Sequence, residues 1–247
     1  MAETATGQAL LQLIKGHWQL IVLTAIVFAL WRTPVTIPLK ILVVFLHELS
    51  HAATVVLTGG QVESLTISTD QGGLVMARGG NRFLALSAGY LGSLIIGMAL
   101  LVAALRTQAD RLIMAVCGAV TLLVTALYIR DGFALIFGAG SGLAMLAMSR
   151  FLGHAINDLV LRVIGLSSMF YVPYDIFSDT IARSALRSDA RMLAEEFGGT
   201  TTLWGGLWLV ISLCVIGLCL RYGLGQDSNL HWRAPAASNP VQRPRRR

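Results

Sequence analysis

The sequence predicts an all-α, multi-pass membrane protein with six or seven transmembrane helices and one small β-hairpin. Of its 247 residues, 55% are hydrophobic and only 13% are charged, whereas soluble domains average about 25% charged residues. Apolar runs near the roughly 20 residues that a helix needs to cross a bilayer recur along the chain. Residues 61–78 break this pattern with the polar–apolar alternation that is typical of strands. We therefore expect an integral membrane protein whose partner is the lipid bilayer.

The first predicted span ends at Trp31 and Arg32, a pair typical of a membrane interface. It lacks the small-residue cleavage site of a secretory signal, so we expect it to be retained. Pro34 and Pro38 separate it from the second span. The predicted spans lie near residues 17–32, 38–58, 83–105, 111–129, 132–149, 152–177 and 203–221. The sequence leaves open whether the glycine-rich run at 132–149 crosses the membrane fully, so the predicted number of transmembrane helices is six or seven.

The segment 61–78, "QVESLTISTDQGGLVMAR", follows the second span after Gly59 and Gly60, a typical helix stop. Apolar residues alternate with polar ones on both sides of "DQGG", which is typical of a turn between two strands. We predict a β-hairpin here. In the next span, Gly89, Ser93 and Gly97 recur every four residues, and such a stripe lets another helix approach closely.

The predicted organisation is a transmembrane bundle over residues 1–222 and a disordered basic tail over 223–247. Residues 178–202 are rich in charge, and we expect a polar surface loop with a short helical excursion. The tail is polar and proline-rich and ends in "RPRRR". These arginines and those of the 178–202 loop favour opposite orientations under the positive-inside rule, so the membrane orientation stays open.

Several classes of function find no support in the sequence. Cys117, Cys214 and Cys219 lie inside apolar runs, which predicts small packing residues and neither disulfides nor a zinc knuckle. No phosphate-binding loop, serine nucleophile motif or nucleic-acid-binding pattern is present. We therefore expect no nucleic acid partner.

The second predicted span carries "HELSH", an HExxH motif at its centre. His47 and His51 are four residues apart, so on a helix both imidazoles face the same side and can bind a single zinc ion. Glu48 is placed to take a proton from a metal-bound water. Unpartnered polar groups are costly in hydrocarbon, and a shared Zn²⁺ removes that cost. The alternative is a histidine pair that bonds helix carbonyls or lines a channel.

A catalytic zinc needs a third protein ligand and an open position. Asp175 and Asp179 lie four residues apart at the end of the sixth span, after Pro173, which loosens the helix and frees backbone groups. The alternative is that these aspartates cap a helix or face solvent. The other aspartates fall in predicted loops, in the tail or near the start of a span: Asp70, Asp110, Asp131, Asp158, Asp189 and Asp227.

This combination resembles the site-2 protease family of intramembrane zinc metalloproteases, in particular its compact branch without a PDZ domain. The resemblance implies a zinc held by the two histidines and an aspartate, with Glu48 as general base and acid. Better-studied members present the aspartate as Leu-Asp-Gly, whereas Tyr174 and Ile176 flank Asp175 here; we expect Asp175 as the ligand and Asp179 as second choice. The matching segments are "FLHELSHA", "LTGGQVESLTI", "SAGYLGS", "FYVPYDIFSDTIAR", "SDA" and "LWGGLWLVISL".

The resulting functional hypothesis is an intramembrane zinc metalloprotease that hydrolyses peptide bonds in or near transmembrane segments of membrane proteins. One alternative is a non-catalytic membrane protein of the same fold that binds zinc or client helices. Another is a metal transporter. Glu48 favours the protease, because a protein that only binds has no need of a general base, and a transporter is expected to distribute ligands over more spans. The sequence leaves the substrate-binding residues, the client and the oligomeric state open.

Overall fold

The structure is a computed structural model that describes residues 2–182, 187–223, 225 and 227–230. Within this part of the chain, seven helices are long and apolar enough to cross a membrane, which confirms the predicted all-α, multi-pass architecture. The run at 132–149 is one of the seven. The helices are α1 (Ala2–Leu30), α2 (Ile37–Leu57), α3 (Arg82–Arg106), α4 (Asp110–Tyr128), α5 (Gly132–Phe151), α6 (His154–Phe177), α7 (Asp189–Phe197) and α8 (Thr201–Gly223).

Two shorter helical segments flank the central helices. A 3-10 turn, Pro34–Thr36, precedes α2, and the proline falls at the start of the turn, where its missing N–H costs no hydrogen bond. A π-helical turn, Ser178–Ala182, continues α6 beyond Phe177. Such turns occur frequently at functional sites.

The predicted hairpin is confirmed as two antiparallel strands, β1 (Gln61–Ile67) and β2 (Gly73–Arg78). Leu65 and Ile67 are buried and pack in one hydrophobic cluster with residues of α2, α4 and α5. Most of β2 is exposed. The sheet of the described chain has only these two strands, so β2 has one edge without a strand neighbour.

Helix α3 packs extensively against both α2 and α6, which also contact each other. Small residues allow the close contact with α6: a Cβ atom on Gly97 would lie 2.2 Å from the Cβ of Ser168. The stripe of small residues noted in the sequence of α3 is therefore a surface on which another helix, α6, packs closely. Apolar residues of α1, α3, α6, α7 and α8 form a second large hydrophobic cluster beside it.

The segment 178–202 differs from the predicted polar surface loop. Its helix α7 buries Asp189, Ala190 and Leu193, and Ala190 and Leu193 join the hydrophobic cluster that includes α3 and α8. The charged residues of α7 alternate with apolar ones at helical spacing, so one face packs inside while the other stays polar. Residues 183–186 lie outside the described part of the chain.

The tail also begins differently from the prediction. Residues 227–230 lie against α1, where the backbone N–H of Ser228 donates to the carbonyl of Gly16 at 2.9 Å. The side-chain oxygen of Ser228 lies 2.7 Å from Nδ1 of His17. The prediction of disorder for residues 231–247 falls outside the described residues.

A buried ion pair holds this part of the fold together. Arg162 and Asp158 are 3% and 6% exposed and lie one turn apart on α6, with Nη2 of the arginine 2.9 Å from Oδ2 of the aspartate. Arg162 also donates through Nη1 to the carbonyl of Ser228. The pair thus connects α6 with the segment that lies on α1.

We predict that Asp158→Ala destabilises the protein by about 3–5 kcal/mol, because it leaves the guanidinium of Arg162 buried without its carboxylate. Thermal unfolding of the detergent-solubilised protein measures the loss. The double variant Asp158→Leu with Arg162→Met removes both charges, so we expect it to recover most of the stability. A double variant as unstable as Asp158→Ala would contradict the unpaired charge as the cause.

Candidate metal centre

The two histidines of the HExxH motif lie side by side on α2. Their ring centroids are 4.6 Å apart, and His51 is 9% exposed. Glu48 is 5% exposed and lies in the same buried stretch. The uninterrupted α2 helix produces this arrangement directly, since residues four apart stack on one face.

Asp189 faces both histidines. Its Oδ2 atom lies 3.0 Å from Nε2 of His47 and 3.2 Å from Nε2 of His51. The three side chains form the one group of metal-binding residue types in the described chain whose ligand atoms all lie within 4.8 Å of one another. Residues from α2 and α7, distant in sequence, therefore converge on one point.

The start of α7 favours a negative charge at Asp189. Ser188 caps the helix, and its side chain accepts the N–H of Arg191 at 3.3 Å. Asp189 is the first residue of the helix, where the helix dipole stabilises an anion. Burial by itself would raise the pKa of Asp189, but the charge of His51 and the hydrogen bonds from both histidines outweigh it and hold the pKa well below its usual value. Asp189 is therefore a carboxylate at neutral pH.

Neither Asp175 nor Asp179 belongs to this group, so the acid that faces the histidines is a different residue from the two that the sequence analysis expected. Asp175 is half-buried in the last turn of α6. Asp179 lies in the π-helical turn, and its Oδ2 accepts the hydroxyl of Tyr90 at 2.9 Å. Helix α7, which follows in the sequence, brings a residue from the expected loop to the histidines.

Two features of the sequence point to Asp189 in retrospect. Ser188 and Asp189 form a typical helix start, and the helix "DARMLAEEF" has one apolar face. The short segment "SDA" also belongs to the resemblance to site-2 proteases. However, the segment 178–202 is rich in charged residues, and a charged stretch between two membrane spans is usually exposed to solvent. This is why the sequence predicts a surface loop here.

A backbone contact fixes the orientation of the His51 ring. Its Nδ1 lies 2.7 Å from the carbonyl oxygen of Ala85 on α3. A carbonyl can only accept a hydrogen bond, so Nδ1 carries a proton and donates it, which leaves Nε2 as the nitrogen that would bind a metal ion. Such outer contacts are typical of metal-binding histidines.

Gly89 of α3 leaves the space that these donor atoms occupy. A Cβ atom at this position would lie 2.3 Å from Nε2 of His47 and 2.5 Å from Nε2 of His51. A tetrahedral zinc with bonds of about 2.0–2.1 Å places neighbouring donor atoms about 3.3 Å apart. The two nitrogen–oxygen distances, 3.0 and 3.2 Å, are close to this value, so the residues fit Zn²⁺ both in chemistry and in spacing.

Glu48 lies beside the three-residue group, beneath the hairpin. A Cβ atom on Gly73, the first residue of β2, would lie 2.3 Å from Oε1 of Glu48 and 2.6 Å from its Cγ. The strand therefore approaches the carboxylate closely at a residue without a side chain. The sequence predicted both the hairpin and Glu48, but gave no indication that they touch.

Comparison with known families gives one match. The family model described as Peptidase M50B-like matches residues 20–219. The match includes α2, the hairpin, α3 and α7, and thus every residue of the centre. Searches among curated proteins and among solved structures found no match.

We predict that Gly89→Ala abolishes stoichiometric zinc binding, because the added methyl group occupies the space between the imidazoles and α3. Metal content of the purified protein, measured by atomic emission spectroscopy, checks this. Gly140→Ala on α5 is the matched control, since a Cβ there meets nothing within 4 Å. Zinc retained at the wild-type level in Gly89→Ala would contradict the placement of the site.

Proposed function

Because the chain belongs to the Peptidase M50B-like family, the site-2 protease family of intramembrane metalloproteases, we propose that it is an active zinc peptidase that cleaves membrane proteins in or near their transmembrane segments. The observation that carries this proposal is the convergence of His47, His51 and Asp189 beside Glu48. This arrangement supplies three metal ligands and one separate acid–base group. A site that only bound metal would have no use for a separate acid–base group such as Glu48.

The proposed ligands are Nε2 of His47, Nε2 of His51 and a carboxylate oxygen of Asp189. If bound there, a zinc ion would polarise the scissile carbonyl and would lower the pKa of a bound water toward about 7. Three protein ligands leave a position open for water or substrate, as in other catalytic zinc sites. Asp189 offers its carboxylate at the first position of α7, where the helix dipole favours a negative charge.

Glu48 is the proposed general base and acid. It follows His47 directly on α2, and its burial against β2 limits the orientations of its carboxylate. In this role its oxygen takes a proton from the attacking water and then donates it to the amide nitrogen that leaves. The hairpin above Glu48 helps to exclude bulk water from this proton transfer.

The hairpin is the proposed binding element for substrate. A transmembrane helix hides its carbonyls in its own hydrogen bonds, so it must unwind locally before attack. The open edge of β2 can accept the unwound segment by strand addition, with main-chain hydrogen bonds that require no particular sequence. Because β2 begins at Gly73 against Glu48, a segment bound along this strand runs past the acid–base group.

We predict that Glu48→Gln retains zinc but eliminates proteolysis, because the amide keeps the shape and loses the proton-accepting oxygen. Membranes from cells that produce the wild type or Glu48→Gln are compared by mass spectrometry of newly formed peptide termini. We expect termini within or near transmembrane segments in the wild-type sample alone.

Asp189→Ala is the reference variant of this experiment, and we expect it to lose both zinc and the new termini. If the same termini appear with Glu48→Gln, the site does not act through this residue. If no termini depend on the wild type while its zinc is bound, a non-catalytic zinc- or helix-binding role replaces the peptidase.

We predict that Gly73→Ala impairs cleavage strongly and leaves zinc in place, because the new methyl group displaces Glu48 or lifts the hairpin. The cleavage products identified with the wild type are quantified for this variant. Gly72→Ala is the matched control one residue earlier, where a Cβ approaches only the Ser68 hydroxyl at 3.3 Å. Equal cleavage by Gly73→Ala and Gly72→Ala would show that the contact between β2 and Glu48 is dispensable.

A further inference from the structure

Tyr90 of α3 is a buried aromatic residue beside the candidate metal centre. It is 2% exposed, and its ring meets the ring of His47 edge-on, with centroids 4.7 Å apart and planes at 83°. Trp208 of α8 packs at 5.4 Å on Tyr90 as well. The phenol therefore fills the space next to a proposed zinc ligand, and neighbours on two helices fix its position.

The hydroxyl of Tyr90 donates to Oδ2 of Asp179 at 2.9 Å. A hydrogen bond to a carboxylate is shorter and stronger than one between neutral groups. Asp179 belongs to the π-helical turn that ends α6, the last described segment before the connection to α7. The hydrogen bond thus joins the helix that touches His47 to the segment that leads toward Asp189.

The π-helical turn is itself tightly packed. Thr180 is fully buried, and a Cβ atom on Gly205 of α8 would lie 2.1 Å from its Oγ1. Asp179 therefore projects from a segment held between α6 and α8. A fixed acceptor of this kind can hold the Tyr90 ring in one orientation.

We propose that Tyr90 and Asp179 form a positioning pair for the metal centre, on the premise of the proposed function that His47, His51 and Asp189 hold zinc. Tyr90 restricts the ring of His47 by edge contact, and Asp179 fixes Tyr90 through its hydroxyl. Asp179 then acts on the metal through Tyr90 and is not itself a ligand. The hydrogen bond of this pair also connects α3 to the turn at the end of α6, which precedes α7 in the sequence.

The experiment measures Zn²⁺ affinity by competition with a chromophoric chelator, and the d–d absorption of the Co²⁺-loaded protein, for Tyr90→Phe, Asp179→Ala and their double variant. Loss of a group that orients a metal ligand typically costs about 10- to 100-fold in affinity. We expect a loss in this range for each single variant, with an altered but present Co²⁺ spectrum. The double variant should lose no more than either single one, because both changes break the same bond.

Two further variants separate positioning from general stability. Asp179→Asn keeps an oxygen that accepts the Tyr90 hydroxyl, so it should recover most of the affinity that Asp179→Ala loses. Tyr171→Phe removes the hydroxyl of another buried tyrosine, whose ring contacts that of Trp31, just after α1. We expect it to leave zinc affinity unchanged.

The outcomes distinguish this proposal from its premise. If Asp179→Ala abolishes Co²⁺ binding as Asp189→Ala does, while Tyr90→Phe has no effect, Asp179 is a ligand and the positioning pair is overturned. Unchanged affinity in both Tyr90→Phe and Asp179→Ala also overturns it. If Asp189→Ala binds Zn²⁺ as tightly as the wild type, the metal centre itself is wrong, whatever the Tyr90 variants show.

Discussion

The buried carboxylate of Asp189 and the two imidazoles that face it are the contact on which the rest of the site depends. A charge inside an apolar bundle is stable only with well-placed partners, and Asp189 has Nε2 atoms at 3.0 and 3.2 Å. This contact requires α7 to leave solvent and dock against α3. The amphipathic pattern of α7, its capped start and its position before α8 all serve that docking.

Helix α3 organises the centre although it supplies none of the proposed ligands. Within its first three turns, the carbonyl of Ala85 orients His51, Gly89 leaves room for the donor atoms, and Tyr90 supports His47. At its start, Arg82 forms an ion pair with Glu196 of α7 at 3.0 Å. The same helix thus shapes the histidine pair and holds the helix that carries the acid.

The hairpin places an open strand edge beside the buried centre. Its inner strand β1 packs on the bundle, whereas β2 keeps an open edge and touches Glu48 at Gly73. The proposed metal ligands, the proposed acid–base group and the strand edge therefore come from α2, β2 and the distant short helix α7. A peptidase that acts on helical substrates needs this combination, since its substrate must be held extended where the proton is transferred.

The sequence by itself determined the features that depend on near neighbours. The lengths of the apolar runs define the helices, alternation defines the hairpin, and the four-residue spacing of His47 and His51 places both on one face. Only the tertiary structure shows which acid faces the histidines, because Asp189 lies 142 residues from His47. The segment around Asp189 is rich in charged residues, as surface loops are. The packing of residues 227–230 on α1 was decided in the same way. In both places a polar segment is buried because its partners come from distant parts of the chain. Local patterns in the amino-acid sequence do not indicate such partners.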